Sequence, residues 1–355
     1  MYVIIAILLF GVLIAVHEWG HFIAARLCGV TVHEFAIGMG PVIWKRRGKK
    51  GTMFSVRALP IGGYCAMEGE EEESDDPNSL SKKGFWQKAM IFAAGAFMNF
   101  VTGVLILLVL NLDVGAYRTA EITGFAPEFQ LRGEDGLLEG DILYSIDGER
   151  VYIFSDVSMF LARGDGEGFD LVVLRNDDKI VLNDFPMKLQ ECTDSTTGGK
   201  YNGYGLYFAG VEEATLGTKL RMTWLNAIDF VRIVRYSIQE LIMGNAGVRD
   251  LSGPVGIVST ITTVGEQSSS VSAAMVNIAY FGAMIAVNLA VMNLLPIPAL
   301  DGGHIVFLLI STVVRKLFGK EIPMKYEAII NFVFFGLLML LMLFVTFNDV
   351  MRLIG

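Results

Sequence analysis

Tyr2 to Leu27 reads YVIIAILLFGVLIAVHEWGHFIAARL. A hydrocarbon core about 30 Å thick takes about 20 helical residues to cross. This run is long enough, and only His17, Glu18, His21 and Arg26 break its apolar character. Ionisable side chains inside a span are rare and usually functional. Three of them within five positions make this stretch decide both architecture and chemistry. It lacks a basic leader region and a small-residue cleavage site, and the apolar run continues past the histidine pair, so it reads as a retained span rather than a cleaved signal peptide.

His17-Glu18-Trp19-Gly20-His21 is an HExxH sequence. On a helix His17 and His21 are i and i+4, so both imidazoles leave one face at a separation suited to one zinc ion. Glu18, rotated about 100° around the axis, reaches a water on that zinc and acts as general base. Zinc lowers the pKa of such a water towards about 7. A catalytic zinc needs a third protein ligand and one open position. An HExxHxxGxxH spacing would supply a third histidine, but Ala24 and Leu27 stand at its Gly and His positions.

Outward from this stretch, three more runs are long enough to span: about Ala89–Leu112, Val271–Leu295 and Ala328–Phe347. A shorter apolar run, Ile305–Val314, predicts a short helix at membrane depth or at its surface. The whole composition agrees. The 355 residues are 53% apolar and 18% charged, with a mean hydropathy of +0.51, against about 25% charged for a soluble domain. A net charge of −9 argues against a polyanionic partner such as nucleic acid. Cys28, Cys65 and Cys192 are far apart with no CxxC pair, so neither a disulfide framework nor a cysteine zinc knuckle is expected.

Lys and Arg near span ends set orientation. Arg26, Lys45, Arg46, Arg47, Lys49, Lys50 and Arg57 follow the first span, and Lys82, Lys83 and Lys88 precede the second. Arg315, Lys316, Lys320 and Lys325 precede the fourth. Between Asp113 and Ser270 stand 24 acidic and 13 basic residues. The basic loops are expected in the cytoplasm, with the acidic insert and both termini outside.

Within the insert, β-rich runs Ala120–Phe125, Ile142–Ile146, Phe169–Leu174 and Ile180–Leu182 alternate with Gly, Asp and Asn turns. A helix is expected at Ser155–Leu161. Leu220–Met243 predicts an amphipathic helix that lies against a surface rather than spanning. Before the second span, Val42–Cys65 reads as a β-hairpin, WKRR and MFSVRAL about GKKGT. It ends in Pro60-Ile61-Gly62-Gly63-Tyr64, and the acidic stretch Glu68–Asp76 after it reads as a solvated loop.

The third ligand remains to be found. Asp301 lies in Asn293-Leu-Leu-Pro-Ile-Pro-Ala-Leu-Asp301-Gly-Gly-His304, where two prolines end the third span. Irregular backbone at that depth is tolerated only inside protein or beside a polar cavity, and an Asp there wants a cation. Capping of the helix that follows is the alternative role for Asp301. His304 ranks next as a ligand, then His33 and Glu34.

Together these motifs resemble the site-2 protease family of intramembrane zinc metalloproteases. HEWGH in a first span pairs with NLLPIPALDGGH at the end of a later one. PIGGY, Ser252-Gly-Pro-Val-Gly-Ile257 and Phe347-Asn-Asp349 narrow the likeness to its bacterial RseP/RasP type. Gly136–Val151, GLLEGDILYSIDGERV, resembles a PDZ domain of bacterial proteases, a module that binds extended peptides at a sheet edge. The resemblance implies one Zn2+ per chain held by His17, His21 and Asp301, with Glu18 as catalytic base. It implies Asn293 as a group that holds substrate backbone or the developing oxyanion, and Asn288, Gly62 and Gly63 are the further substrate-contacting candidates. The hairpin near Trp44–Leu59 resembles the family's membrane-associated β-loop, which clamps substrate as an extended strand. Two departures stand out. Gly95-Ala96-Phe97-Met98-Asn99 has alanine where the family often has proline, and the insert fits one PDZ-like domain where some relatives carry two.

The expected architecture is a membrane α-helical protein of four spans. Residues 1–28, 89–112, 271–303 and 327–355 carry the spans, and 29–88 carry a membrane-associated β-hairpin at about 42–65. The PDZ-like domain takes 113–214, the amphipathic helix and SGPVGI connector 215–270, and a short helix and loop 304–326. The function implied is regulated intramembrane proteolysis in the bacterial cytoplasmic membrane. Substrates would be single-span proteins, such as an anti-sigma factor already trimmed by an upstream site-1 protease, or remnant signal peptides. A catalytically silent PDZ-bearing scaffold with structural zinc is the alternative, and the presence of Glu18 with no evident fourth ligand weighs against it. A metal transporter would carry polar residues along several spans and internal repeats, which are not found.

Overall fold

A computed structural model of the chain describes residues 1–354 except 71, 73, 165–167, 194–197, 248 and 249. Two of the excepted residues fall within the predicted acidic loop Glu68–Asp76. Among the described residues the chain begins α1 (Tyr2–Leu27), β1 (Val32–Arg47), β2 (Met53–Met67), a 3-10 turn at Leu80–Lys82 and α2 (Phe85–Leu112). Short strands follow: β3 (Ala116–Arg118), β4 (Gly124–Phe125), β5 (Ile142–Ile146) and β6 (Glu149–Arg150). After helix α3 (Phe154–Leu161) come β7 (Phe169–Arg175), β8 (Asp178–Phe185), β9 (Gln190–Thr193), β10 (Lys200–Gly203), β11 (Leu206–Tyr207) and β12 (Val211–Glu213). The rest is helical: α4 (Leu216–Met243), α5 (Pro254–Gln267), α6 (Val271–Asn293), α7 (Asp301–Phe318) and α8 (Met324–Ile354).

Four of these helices are long and apolar enough to cross a membrane: α1, α2, α6 and α8. They coincide with the four predicted spans, with α2 and α8 starting a turn earlier than expected. α4 is not among them. By contact density the chain forms two units, residues 1–110 with 230–355, and residues 111–229.

In the first unit, helices approach closely where the sequence supplies small residues, the usual device when lipid removes the hydrophobic drive for association. A Cβ on Gly20 of α1 would stand 2.3 Å from the Ala94 carbonyl of α2, and one on Gly103 would stand 3.0 Å from the Ala283 carbonyl of α6. α1 meets α5 and α6 in a buried cluster of Ala6, Leu13, Ile261, Ile278, Ile285 and Ala286. Towards its C-terminal end it meets the β1–β2 sheet and α2 through Ala25, Val32, Cys65, Met67, Leu80 and Ile91. Trp19 and Phe22 of α1 stack, and both meet Phe35 of β1 edge-on.

The sheet is larger than the expected hairpin at 42–65, because pairing begins at Val32. Residues 34–37 are flanked on both edges, with Phe35 opposite Cys65 on one side and Phe54 on the other. Residues 44–47 pair with 53–56 to form the tip. Gly38 and Gly40, at φ +85° and +83°, turn the chain between its two halves. One edge is therefore residues 63–67.

The SGPVGI stretch, expected as a connector, starts the helix α5, with Pro254 at its first position. The short helix predicted at Ile305–Val314 is the longer α7, which starts at Asp301 and ends at Gly319 in the left-handed conformation.

The second unit is β-rich. An antiparallel sheet runs in the order β6-β5-β7-β8, and β3–β12, β4–β11 and β9–β10 form separate pairs. The predicted runs at Ile142–Ile146 and Phe169–Leu174 are β5 and β7, and the predicted helix is α3. Asp156 accepts hydrogen bonds from the Tyr152 and Ile153 amides (2.6 and 3.1 Å) and fixes the start of α3. Asp141, 1% exposed, receives a two-pronged bond from Arg175 at 2.8 Å on each arm.

Candidate metal centre

Three side chains from two distant parts of the chain converge. His17 and His21 project from one face of α1, and Asp301 stands at the first position of α7. The Nε2 atoms of His17 and His21 lie 3.2 Å apart, and each lies close to Asp301 Oδ2, at 3.3 and 3.4 Å. Charge-assisted hydrogen bonds would bring such atoms to about 2.7–2.9 Å. The triangle matches the spacing of ligands around one ion, since bonds of about 2.0–2.1 Å at tetrahedral angles separate donor atoms by roughly 3.3–3.4 Å. Asp301 Oδ2 is buried and has no hydrogen-bond donor, a costly state for a carboxylate without a cation. Among the described residues this is the one group of three that could hold a metal ion. Two nitrogens and one carboxylate oxygen are a donor set that suits zinc.

The other ligand candidates are engaged elsewhere. His33 pairs with Glu68 at 2.5 Å, and His304 with Glu327 at 2.9 Å. Glu34 accepts from Ser55 (2.6 Å) and Arg57 (2.9 Å). Nor does Asp301 cap its helix. The cap position is Leu300, with no side-chain bond, and the carboxylate turns to the histidines instead. Gly302 and Gly303 allow this placement, because a Cβ on either would meet the carbonyls of Leu295 or Ile297 at 2.3–2.4 Å.

α2 orients both rings. His21 Nδ1 lies 2.8 Å from the Ile91 carbonyl, so this nitrogen carries the proton and Nε2 is free for a metal. His17 Nδ1 faces Asn99, whose Nδ2 is 3.4 Å away and whose Oδ1 has no other partner. Turned towards the ring, that oxygen accepts the Nδ1 proton and fixes His17 in the same tautomer. Gly95, one turn earlier, lies directly against the pair. Sequence reasoning passed over Gly95 and Asn99 as functional residues. The signal was the Gly95-Ala-Phe-Met-Asn99 motif itself, whose i, i+4 spacing puts both on one face of α2.

A cleft of ≈ 890 Å³ opens beside the triad, lined by Glu18, His33, Tyr64, Cys65, Met67, Glu68 and Phe92 among others. Glu18 packs against Gly63, where a Cβ would stand 3.1 Å from its Cγ. The lining strand residues 64–67 belong to the sheet edge described above, not to the Trp44–Leu59 stretch predicted to serve as the clamp. Burial, with Glu70 and Glu18 nearby, pushes the Cys65 thiol up and keeps it protonated. Hydrogen bonds from Ser74 and His33 hold the Glu68 carboxyl below its usual range. Of the expected substrate-contacting residues, Gly63 borders Glu18. Gly62, at φ +83°, lies over Met39. Asn293 is the partly exposed last residue of α6, Asn288 is exposed on the same helix, and neither is among the cleft-lining residues.

Residues 5–341 match the sequence profile of peptidase family M50. A Clostridium perfringens protein provisionally named a zinc metalloprotease is 37% identical over 99% of this chain and 98% of its own length. The Bacillus subtilis regulator of sigma-W protease RasP is 27% identical over 99% of the chain and 98% of that protein. Oceanobacillus iheyensis zinc metalloprotease RasP is 28% identical over 99% of both.

Proposed function

This chain belongs to peptidase family M50 and is a multi-pass membrane zinc metalloprotease, and from that premise we propose that it cleaves the membrane segments of single-span proteins, with His17, His21 and Asp301 as zinc ligands and Glu18 as general base. The observation that carries this reading is the 3.2–3.4 Å triangle of donor atoms held by α1 and α7. Its two histidines lie on a helix long and apolar enough to cross a membrane.

Zinc, when bound, supplies Lewis acidity towards water and a peptide carbonyl. The chain's own residues do the rest. Glu18, beside the triad in the cleft, takes a proton from the attacking water and passes it to the leaving amine nitrogen. Ile91 and Asn99 keep the imidazole protons on Nδ1. A helical substrate has its amides bonded internally and must unwind before a carbonyl is reachable. The sheet edge at residues 63–67 supports a substrate strand laid along it, which replaces the backbone bonds given up on unwinding. Small or helix-breaking residues in a substrate therefore favour cleavage. Asn293 is assigned a backbone- or oxyanion-holding role only in a substrate-bound arrangement.

The basic loops support a cytoplasmic position for the β1–β2 sheet and the cleft in a bacterial inner membrane, with the β-rich insert outside. There the insert acts as a PDZ-like module for an extended peptide or as a filter for trimmed substrates. The Bacillus relative is named for sigma-W regulation; a membrane-tethered regulator first cut outside by another protease, or a remnant signal peptide, is the substrate class we assign here.

The test is purified wild type and Glu18→Gln in detergent, assayed for zinc content and for cleavage of a model single-span substrate. The expected result is one zinc per chain in both, with chelator-sensitive cleavage in wild type alone. Cleavage by Glu18→Gln would overturn the role of Glu18, and absence of zinc in both would overturn the ligand assignment.

A further inference from the structure

The segment that presents Asp301 is gripped from α8. Residues 294–300 join α6 to α7 without regular structure, and the chain enters α7 through Ala299 at φ +72°. A residue with a Cβ is rarely found in this left-handed region and persists there only where its surroundings fix it. The loop satisfies its neighbouring amides internally: Ile297 N donates to Leu295 O (2.7 Å) and Leu300 N to Ile297 O (3.2 Å). Pro298 has no amide hydrogen. The Ala299 amide is instead taken by Asn331 Oδ1 of α8, at 3.1 Å. One turn earlier on the same face of α8, Glu327 meets His304 Nδ1 at 2.9 Å. Two side chains of one helix thus hold the segment two residues before Asp301 and three residues after it.

We propose that Asn331 is a positioning residue for the metal centre: by accepting the Ala299 amide it holds the left-handed turn that aims the Asp301 carboxylate at His17 and His21. The proposal rests on the assignment of Asp301 as a ligand. Zinc–ligand distances lie within about 0.2 Å of their usual values, and relaxation of Ala299 to an ordinary φ turns the chain leading into Asp301 and shifts the carboxylate. The polar pair on α8 is otherwise out of place. Its neighbours Phe332, Phe335 and Leu340 are exposed apolar residues suited to lipid, and an Asn in such a helix is expensive unless it has work.

The experiment uses full-length protein in detergent and follows zinc affinity by equilibrium competition with a chromogenic chelator, alongside cleavage and thermal unfolding. Asn331→Leu keeps side-chain volume on an apolar helix and removes the acceptor. Its zinc affinity should fall about 10- to 100-fold, the range for loss of a ligand-orienting partner, while Asn331→Asp, which keeps an acceptor, stays near wild type. Ala299→Gly adopts the turn without a Cβ, so in the Asn331→Leu background it should restore most of the lost zinc affinity. Wild-type zinc retention by a folded Asn331→Leu protein would overturn the proposal. So would a loss that Ala299→Gly leaves unchanged, because Asn331 would then act through packing alone. Asp301→Ala separates the two layers. Zinc retained in that variant sinks the ligand assignment, whereas zinc lost there but kept in Asn331→Leu sinks only the positioning role.

Discussion

Gly95 of α2 lies directly against His21 of α1: a Cβ built on it would stand 2.3 Å from Nε2, and 2.7–2.8 Å from Cε1 and Nε2 of His17. The place a side chain would take is the place of the ring nitrogens that face Asp301. Gly95→Ala should therefore push the imidazoles off the shared point and lower zinc occupancy at least tenfold under chelator competition, and Gly95→Val should abolish it. Equal zinc affinity in Gly95→Ala and wild type would show that α1 and α2 separate without consequence.

Asn99 is 1% exposed, and among the described residues its side chain contacts His17. Loss of such an orienting partner typically costs 10- to 100-fold in metal affinity or activity. Asn99→Leu should fall in that range, and Asn99→Asp, which keeps an oxygen for the Nδ1 proton, should retain more zinc than Asn99→Leu. Titration of the apoprotein variants with zinc checks the order.

Gly63 of β2 packs directly against Glu18. Its Cβ would lie 3.1 Å from Glu18 Cγ and 3.0 Å from the Ala36 carbonyl in the paired strand. Gly63→Ala moves either the base or the sheet edge by a few tenths of an ångström, and misplacement of a catalytic group by about 1 Å can cost 10²-fold. The expected outcome is wild-type zinc content with cleavage several-fold slower. A fall in kcat assigns the effect to Glu18, a rise in KM alone assigns it to the sheet edge, and unchanged kinetics refute both.

The four spans and the chemistry of α1 were legible because long apolar runs have few alternative fates and because charges inside them are costly. The meeting of Asp301 with His17 and His21 was legible for the same reason: a carboxylate after two helix-breaking prolines at membrane depth is expected beside polar or cationic partners. The N-terminal half of β1 was not, since Gly38, Gly40 and Pro41 interrupt any strand pattern and the left-handed glycines only make sense once the chain is seen to double back. α5 was hidden too. Its Gly, Ser and Thr content argues for a loop, and its start is fixed by a residue nearly a hundred positions away. Gly95, Asn99 and Asn331 act on the site from neighbouring helices, and helix-to-helix register is not written in any one segment. Asn293 and Asn288 came from the family likeness rather than from local physics, and neither reaches the cleft lining.

Asp349 supplies that distant start. The side chain, 3% exposed on α8, accepts hydrogen bonds from the Gly253 and Gly256 amides at 2.9 and 2.8 Å. Those amides open α5, whose own cap residue, Gly253, has no side chain to offer. A carboxylate at a helix N-terminus meets both the free N–H groups and the positive end of the dipole. Asp349→Ala leaves one buried donor, the Gly253 amide, and one half-buried donor, the Gly256 amide, without this partner, at a cost of about 1–3 kcal/mol. The unfolding midpoint in detergent should drop by several degrees, while Asp349→Asn, which keeps one oxygen but loses the charge, should fall between. Because α5 packs on α1 through Ile261, the Asp349→Ala loss should appear in stability before it appears in zinc content. An unchanged midpoint in Asp349→Ala would show that apolar packing alone seats α5 and that the link between the SGPVGI and FND motifs carries no weight.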